Sequence, residues 1–529
     1  MISTTMINRR RALGVLAAGA PALGLARALA PSPDETLEIA PGPFKGTRES
    51  LRDYRIPDWY RDAKFGIWAH WGPQSHAEFG DWYARTMYIE GSPQYKHHVA
   101  TYGHPSKFGY KDLALTWRGE HFDPEHLIGL YRQAGAKYFC SMGVHHDNFD
   151  LWNSKFQPYW NAAANGPKKD IVGLWARAAR KHGLKFAVSE HLAVSYHWFQ
   201  TSHRADTAGP YAGVPYDGAD PANSALYHDT HETPRNAKGE EDLWSPVNVS
   251  PAWKRRYFDR IKDLIDHYEP DLMYIDGPIF FEEIGLSLVA HQYNLSAKKH
   301  GGVPQAVYTS KRREDSEVGT CVLDLERGVV DTIWPTPWQT DTCVGQWHYN
   351  KGQHYKTAKL VIDMLVDIVS RNGNLMLNFP LNSKGELDAD ELKVLEGVTK
   401  WMAVNSQGIY ATRPWKIFGY GPATAVSARA GTLHFNENQR QNLSAADVRF
   451  TQKGDTLYAF CMGLPDQAVV IEPLGTKSPQ NPSKVQHVEL LGFKGRLQFK
   501  QDETGLHIDL PAQKFPLPPQ AVTFKIIGA

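Results

Sequence analysis

Between residues 51 and 378, short apolar runs alternate with longer amphipathic ones. Residues 64–71 (KFGIWAHW) and 137–145 (KYFCSMGVH) are strand-like. Residues 124–135 have helical spacing and end at Gly135. Residues 170–182 (DIVGLWARAARKH) predict an amphipathic helix stopped by Gly183. A strand at 184–191 (LKFAVSEH) follows, then a helix at 253–268 and a strand at 271–276 (DLMYID). Residues 304–309, 321–325 and 374–379 supply later strands, and 355–370 another helix. Strands alternating with helices over this length predict parallel βαβ units. No glycine-rich phosphate loop follows the first strand, which favours a closed (β/α)8-type, TIM-like barrel over an open sheet. After Pro414 the texture changes to short alternating runs at 456–462, 468–472, 487–491, 496–500 and 505–510, separated by turn residues. These predict a C-terminal antiparallel β-sandwich. The expected fold is thus of the α/β class, with a catalytic barrel over 31–412 and a sandwich over 413–529. The polar stretch 202–245, rich in Gly, Pro, Asp and His, reads as a long βα loop of the kind that holds substrate.

The N-terminus differs from both. Arg9, Arg10 and Arg11 precede a mildly apolar Ala/Gly/Leu stretch, and Ala28, Leu29 and Ala30 offer small residues for cleavage. Residues 1–30 therefore read as a signal peptide, similar to a twin-arginine leader, and predict an exported periplasmic or secreted protein. The stretch is too short and too rich in Gly and Pro to span a membrane, and no other apolar run reaches that length.

Charge narrows the ligand class. The 58 basic and 57 acidic residues leave a net +1, so no field exists to gather nucleic acid or an anionic membrane. Aromatics reach 12%, with 16 Trp and 23 His, which suits stacking on sugar faces and bonding to hydroxyls, or simply filling large cores. The four cysteines show no zinc spacing; Cys321 could pair with Cys343, or all could be buried thiols.

The candidate chemistry gathers where the predicted strands end: His70, then His145 and His146, then Glu190 and His191, then Asp276, then Glu326. Polar residues at these ends are what a barrel active site requires. Glycoside hydrolysis with retention needs two carboxyl groups about 5–5.5 Å apart. Asp276 leaves a rigid apolar strand and precedes Gly277, which suits a nucleophile. Glu326 has the longer reach of a proton shuttle. Each taken singly could equally be a solvated carboxylate at a loop entrance. Neighbours on a regular strand face opposite ways, so His145 and His146 are not expected to chelate one metal ion.

Seven stretches, in order, carry a family resemblance: KFGIWAHWG, DWYARTMY, HHDNFDLWNSKF, GLKFAVSEH, PDLMYIDG, SRNGNLMLNFP and NSQGIYATRPW. The chain resembles the α-L-fucosidases of glycoside hydrolase family 29 from about Tyr60 to Trp415. The resemblance implies an exo-acting retaining enzyme that removes terminal α-L-fucose from glycans or glycosides through a covalent fucosyl-enzyme, with no metal or organic cofactor. It puts the nucleophile on Asp276, fucose-binding histidines on His70, His145 and His146, and a pocket tryptophan on Trp82. Glu190 and His191 are expected to line the same pocket, Trp347 to shape it, and Lys311 to stand where some relatives carry a sugar-contacting arginine. Three departures stand out. Asn148 replaces a glycine and Asp81 a glutamate. Trp338 and Gln339 replace a Trp-Glu pair whose glutamate serves some relatives as acid/base. Other relatives place the acid/base earlier, where this chain has Glu326. Alternatives are a glycosidase for another L-sugar such as α-L-galactose, a non-catalytic carbohydrate-binding protein, and a metallohydrolase using the paired histidines. Oligomeric state is not legible.

Overall fold

The computed structural model describes residues 36–427, 436–465, 468–480, 482–510 and 520–528. The expected leader, residues 1–30, lies outside the described residues.

Eight parallel strands close a barrel in sequence order: β1 (Phe65–Ala69), β2 (Tyr138–Val144), β3 (Lys185–Glu190), β4 (Leu272–Ile275), β5 (Val307–Ser310), β6 (Val322–Asp324), β7 (Trp338–Cys343) and β8 (Gly373–Asn378). Closure is explicit at Gly66, which pairs with Tyr138 on one side and Met376 on the other. A Cβ at Gly66 would lie 2.2 Å from the Tyr138 ring, so only glycine fits beside that tyrosine.

Seven helices return the chain outside the strands: α1 (Pro124–Gln133), α2 (Ile171–Lys181), α3 (Pro251–Tyr268), α4 (Glu283–Lys299), α5 (Arg313–Glu317), α6 (Ala358–Ser370) and α7 (Ala389–Asn405). Their starts follow local chemistry. Asp123, Asp170 and Ser250 accept from free backbone N–H groups at the starts of α1, α2 and α3, and prolines open α1 and α3. Residues 325–337, between β6 and β7, run without a helix. Apolar residues of strands and helices form the larger core, while Trp68, Tyr138, Cys140, Tyr274, Val322 and Met376 fill the barrel interior.

The apolar pattern does not predict β7, whose sequence WQTDTC is mostly polar. Trp338 packs into the larger core, but Gln339 and Asp341 meet a buried polar network. Tyr138 and Tyr60 donate to Gln339 Oε1 at 3.0 and 3.4 Å, and Gln339 Nε2 donates to Asp324 Oδ2 at 2.8 Å. Helix α4 escapes the pattern for a different reason: 11 of its 17 residues are buried, so no polar stripe marks it.

The C-terminal part holds β9 (Gly419–Tyr420), β10 (Val448–Lys453), β11 (Thr456–Cys461), β12 (Ala468–Ile471), β13 (His487–Leu490), β14 (Phe499–Gln501), β15 (Leu506–Asp509) and β16 (Val522–Ile527). They form two antiparallel sheets, ordered β13-β16-β11-β10-β9 and β12-β15-β14, over one core that includes Phe450, Ile471, Leu506 and Phe524. This domain is tied to the barrel through a buried triad. Arg449 Nε donates to Asp367 Oδ1 at 2.6 Å, and Arg371 Nη2 to the same oxygen at 3.1 Å. Burial opposes the Asp367 charge, but the guanidinium groups of Arg371, Arg449 and Arg440 hold its carboxyl well below the usual range.

All four cysteines are buried free thiols, so the pairing of Cys321 with Cys343 does not form. Cys321 precedes the start of β6, whereas Cys343 ends β7, and these parallel strands pair Leu323 with Trp338. The two residues therefore sit toward opposite ends of the barrel, beyond the reach of about 4.4–6.8 Å between Cα atoms that a disulfide allows.

Candidate active site

One rule of position builds the site. His70, His145, His191, Asp276 and Lys311 are each the first residue after β1, β2, β3, β4 and β5. Glu326 is the second after β6, and Asp341 belongs to β7. Parallel strands aim these side chains at one end of the barrel. There they line a cavity of about 470 Å³ with Trp82, His146, Trp244, Tyr274 and Trp347. Trp68 and Tyr274 floor it, because both belong to the packed barrel interior.

The centre is Lys311. Its Nζ lies 3.8 Å from Asp276 Oδ1, 3.3 Å from Glu326 Oε2, 3.2 Å from Asp324 and 3.4 Å from Asp341. Burial alone would neutralise this lysine, but the surrounding carboxylates hold its pKa well above the ordinary value. The two candidate catalytic groups face one ammonium and diverge in acidity. For Asp276, burial disfavours the charge, yet His146 Nε2 at 3.3 Å, His191 Nδ1 at 3.2 Å and Lys311 overcome it and keep the carboxyl well below its usual pKa. For Glu326, burial is the largest influence. Lys311 offsets part of it, and Asp341 and Asp276 reinforce it, so the pKa is pushed up to about 7. An ionised nucleophile beside a protonated acid is the pairing that retaining glycoside cleavage needs.

The histidines are set for hydroxyls. Gln74 Oε1 accepts from Ala84 N, which orients the amide so that Nε2 donates to His145 Nδ1 at 2.8 Å. His145 then carries its proton on Nε2. His70 is 2% exposed and neither ring nitrogen has a protein partner. Burial, then His348 and His191, push the His70 pKa well below normal. A neutral imidazole with two open nitrogens can both donate to and accept from a sugar. His70 is fixed in turn by its backbone N–H, which donates to Asn378 Oδ1 at 2.8 Å, while Asn378 Nδ2 donates to the Trp347 carbonyl at 2.9 Å.

Nine of the ten residues expected from the sequence meet in this cavity. Glu190 does not. It closes β3 with its side chain turned away, accepting from Tyr257 Oη at 2.7 Å and from Leu192 N at 2.9 Å, at 0% exposure. Strand alternation explains the correction: Glu190 and His191 are neighbours, and only His191 faces inward. The same alternation misleads at His145 and His146. Strand β2 ends at Val144, so alternation no longer separates them, and their rings lie 4.5 Å apart. With His191 they could hold a metal ion, as could His70, Asp81, His145 and His348. Gln339 lies below the cavity in the polar network, so its carboxamide takes no part at the site. Asn148 stands in the left-handed region at φ 61°, which asparagine tolerates better than most, and this accommodates the missing glycine.

Six contributors were not expected: the floor residues Trp68 and Tyr274, and with them Asp341, Asp81, His348 and Trp244. Asp341 lines the cavity and accepts from Tyr274 Oη at 3.0 Å. Asp81 accepts from His348 Nδ1 at 2.6 Å, aiming that imidazole toward His70. Trp244 comes from the long loop after β3. The signals for Asp81 and His348 were their neighbours Trp82 and Trp347; Trp244 lies in the 202–245 stretch expected to hold substrate, although nothing in that stretch singled out the tryptophan.

A model of the family described as "Alpha-L-fucosidase" matches residues 33–407, and one described as "Alpha-L-fucosidase C-terminal domain" matches 439–527. The chain belongs to the alpha-L-fucosidase family. It is a glycoside hydrolase of that activity. Mouse tissue alpha-L-fucosidase is 24% identical over 495 residues, which cover 90% of this chain and 92% of that protein. The Dictyostelium discoideum alpha-L-fucosidase is 23% identical over 88% of both chains. Among solved structures, Thermotoga maritima alpha-fucosidase superposes with a TM-score of 0.68 at 24% identity, covering 92% of this chain and all of that one. That likeness is one of fold. The fucosidase family assignment agrees with both architectural halves, barrel and C-terminal sheets.

Proposed function

We propose that Asp276 is the nucleophile and Glu326 the acid/base of an exo-acting α-L-fucosidase that retains configuration. The observation that carries this reading is the opposed displacement of the two carboxyl pKa values around one lysine. Asp276 attacks the anomeric carbon as Glu326 gives its proton to the departing oxygen. A β-linked fucosyl ester on Asp276 results. Glu326, now ionised, takes a proton from water, and the attacking oxygen displaces Asp276 to restore the α configuration. Two inversions give retention. The floor formed by Trp68 and Tyr274 makes the cavity blind, which supports removal of a terminal residue rather than cleavage within a chain. Aromatic walls at Trp68, Tyr274 and Trp347 suit the methyl group that fucose carries at its sixth carbon, and His70, His145 and His191 suit its hydroxyls. A wall of this kind rejects an added hydroxyl only modestly, so α-L-galactosides remain competing substrates.

Hydrolysis of para-nitrophenyl α-L-fucoside by the protein and by Asp276→Ala and Glu326→Ala tests both roles. With azide present, Asp276→Ala should release β-fucosyl azide after one inversion, and Glu326→Ala α-fucosyl azide after two. The opposite anomers, or full activity of either variant, would move the roles elsewhere. The histidine cluster also supports a metal-assisted reading; loss of activity on dialysis against a strong chelator would favour it over the paired carboxyls.

Residues 1–30 are proposed to direct export of the folded protein, a reading that rests on the three arginines and the small residues at 28–30.

A further inference from the structure

The loop between β3 and α3 is the longest of the barrel's βα loops, and beyond His191 at its start it carries Trp244 into the cavity. Its indole is 41% exposed, although the preceding Leu243 is 6% exposed and anchors the turn. Trp244 stacks on Trp82 with ring centres 5.9 Å apart and planes 28° from parallel. Both indoles stand edge-on to His146, at 6.1 and 6.0 Å, and His146 contacts the nucleophile. The wall therefore climbs from the reacting carbon to the rim.

The placement is built, not incidental. Arg85, on the helical turn Tyr83–Thr86 that follows Trp82, donates from Nη2 to Glu241 Oε2 at 2.5 Å, with side chains 7% and 22% exposed. Arg204 also pairs with Glu241. On the other side of Trp244, His197 Nε2 contacts the Val247 carbonyl at 2.9 Å. The loop is thus pinned on both sides of Trp244. Trp82 itself is held at φ 55°, a left-handed conformation unusual for tryptophan.

Because the cavity is blind, whatever is attached to the fucose leaves through the rim. An exposed indole fixed there offers a flat apolar surface, which matches the C–H face of a pyranose ring. We propose that Trp244 is the platform of a leaving-group subsite, and that the preferred substrates carry fucose on another pyranose rather than on a small alkyl group. This inference rests on the fucosidase reading above and adds the identity of the leaving group.

The test compares Trp244→Ala with the wild type on two substrates. One is methyl α-L-fucoside. The other is whichever of the α-(1→2)-, α-(1→3)- and α-(1→6)-linked fucosyl disaccharides the wild type cleaves fastest. The expected result is a fall of about ten-fold or more in the ratio of kcat/KM for disaccharide to that for methyl fucoside, carried mainly by KM and partly restored in Trp244→Phe. Glu241→Ala, which unpins the loop without touching the indole, should lower the same ratio. Equal losses on both substrates, as a merely structural tryptophan would give, leave the ratio unchanged and overturn the proposal. So does an unaltered variant. A wild type that turns over neither fucoside would instead overturn the fucosidase reading, and the two failures are distinct.

Discussion

Lys311 Nζ lies 3.3 Å from Glu326 Oε2, and through this contact a cation moderates the acidity of the proposed proton donor. Burial raises the Glu326 pKa to about 7, and Lys311 is the largest influence pulling it down. Glycosyl transfer to Asp276 needs the protonated form, so kcat/KM is expected to fall as pH rises through about 7. Lys311→Gln removes the restraining charge. The alkaline limb of the pH profile should then move up by about one unit or more. An unmoved limb would mean that Glu326 is not the group being titrated.

Glu190 offers a stability test, because it is buried outside the cavity. Burial raises its pKa from 4.5 to about 7, against the hydrogen bonds from Tyr257 and Leu192. A raised carboxyl pKa stabilises the fold fully below the unfolded value, and that contribution is lost as pH climbs through the folded one. Glu190→Gln resembles the protonated acid, its oxygen accepting from Leu192 N and its amide N–H donating to Tyr257 Oη, so it should cost no more than about 1 kcal/mol. The wild-type advantage in Tm should be largest near pH 4.5 and shrink toward pH 7. KM for a small fucoside should stay at the wild-type value; a marked rise would return Glu190 to the pocket.

Arg260 and Asp150 form an ion pair in which both side chains are fully buried, with Nη2 2.5 Å from Oδ1. Arg260 also donates to Asn148, which follows the catalytic-face histidines. Arg260→Met strands a buried carboxylate, and a loss of about 3–5 kcal/mol is expected in urea unfolding. Arg260→Met combined with Asp150→Leu should recover most of it. A single variant as stable as the wild type would show that water reaches Asp150.

Export can be read directly. The protein recovered from a bacterial periplasm should begin after Ala30, and replacing Arg9 and Arg10 by lysine should retain it in the cytoplasm. A periplasmic protein that still begins at Met1 would refute cleavage, and unaffected export of the lysine variant would refute the twin-arginine route.

Strands β1 to β4 were legible because each is mainly apolar, and the polar residue at or just after its end was therefore legible as a site candidate. The same logic fails at β7, where Gln339 and Asp341 point into a buried polar network that no apolar count detects. It also fails at Glu190, which closes β3 and turns its side chain away, while the next residue, His191, faces inward.

The sequence by itself determined the alternation of strands and helices, the change to antiparallel sheets after the barrel, and seven motifs whose order specifies a family. These are local or linear properties, written in periodicity and in runs of neighbouring residues. Only the tertiary structure decided that Lys311 stands among Asp276, Glu326, Asp324 and Asp341, that Asp81 aims His348, and that Trp244 crosses from a long loop to the rim. Electrostatic coupling depends on distances between residues far apart in the chain, and barrel closure alone sets those distances.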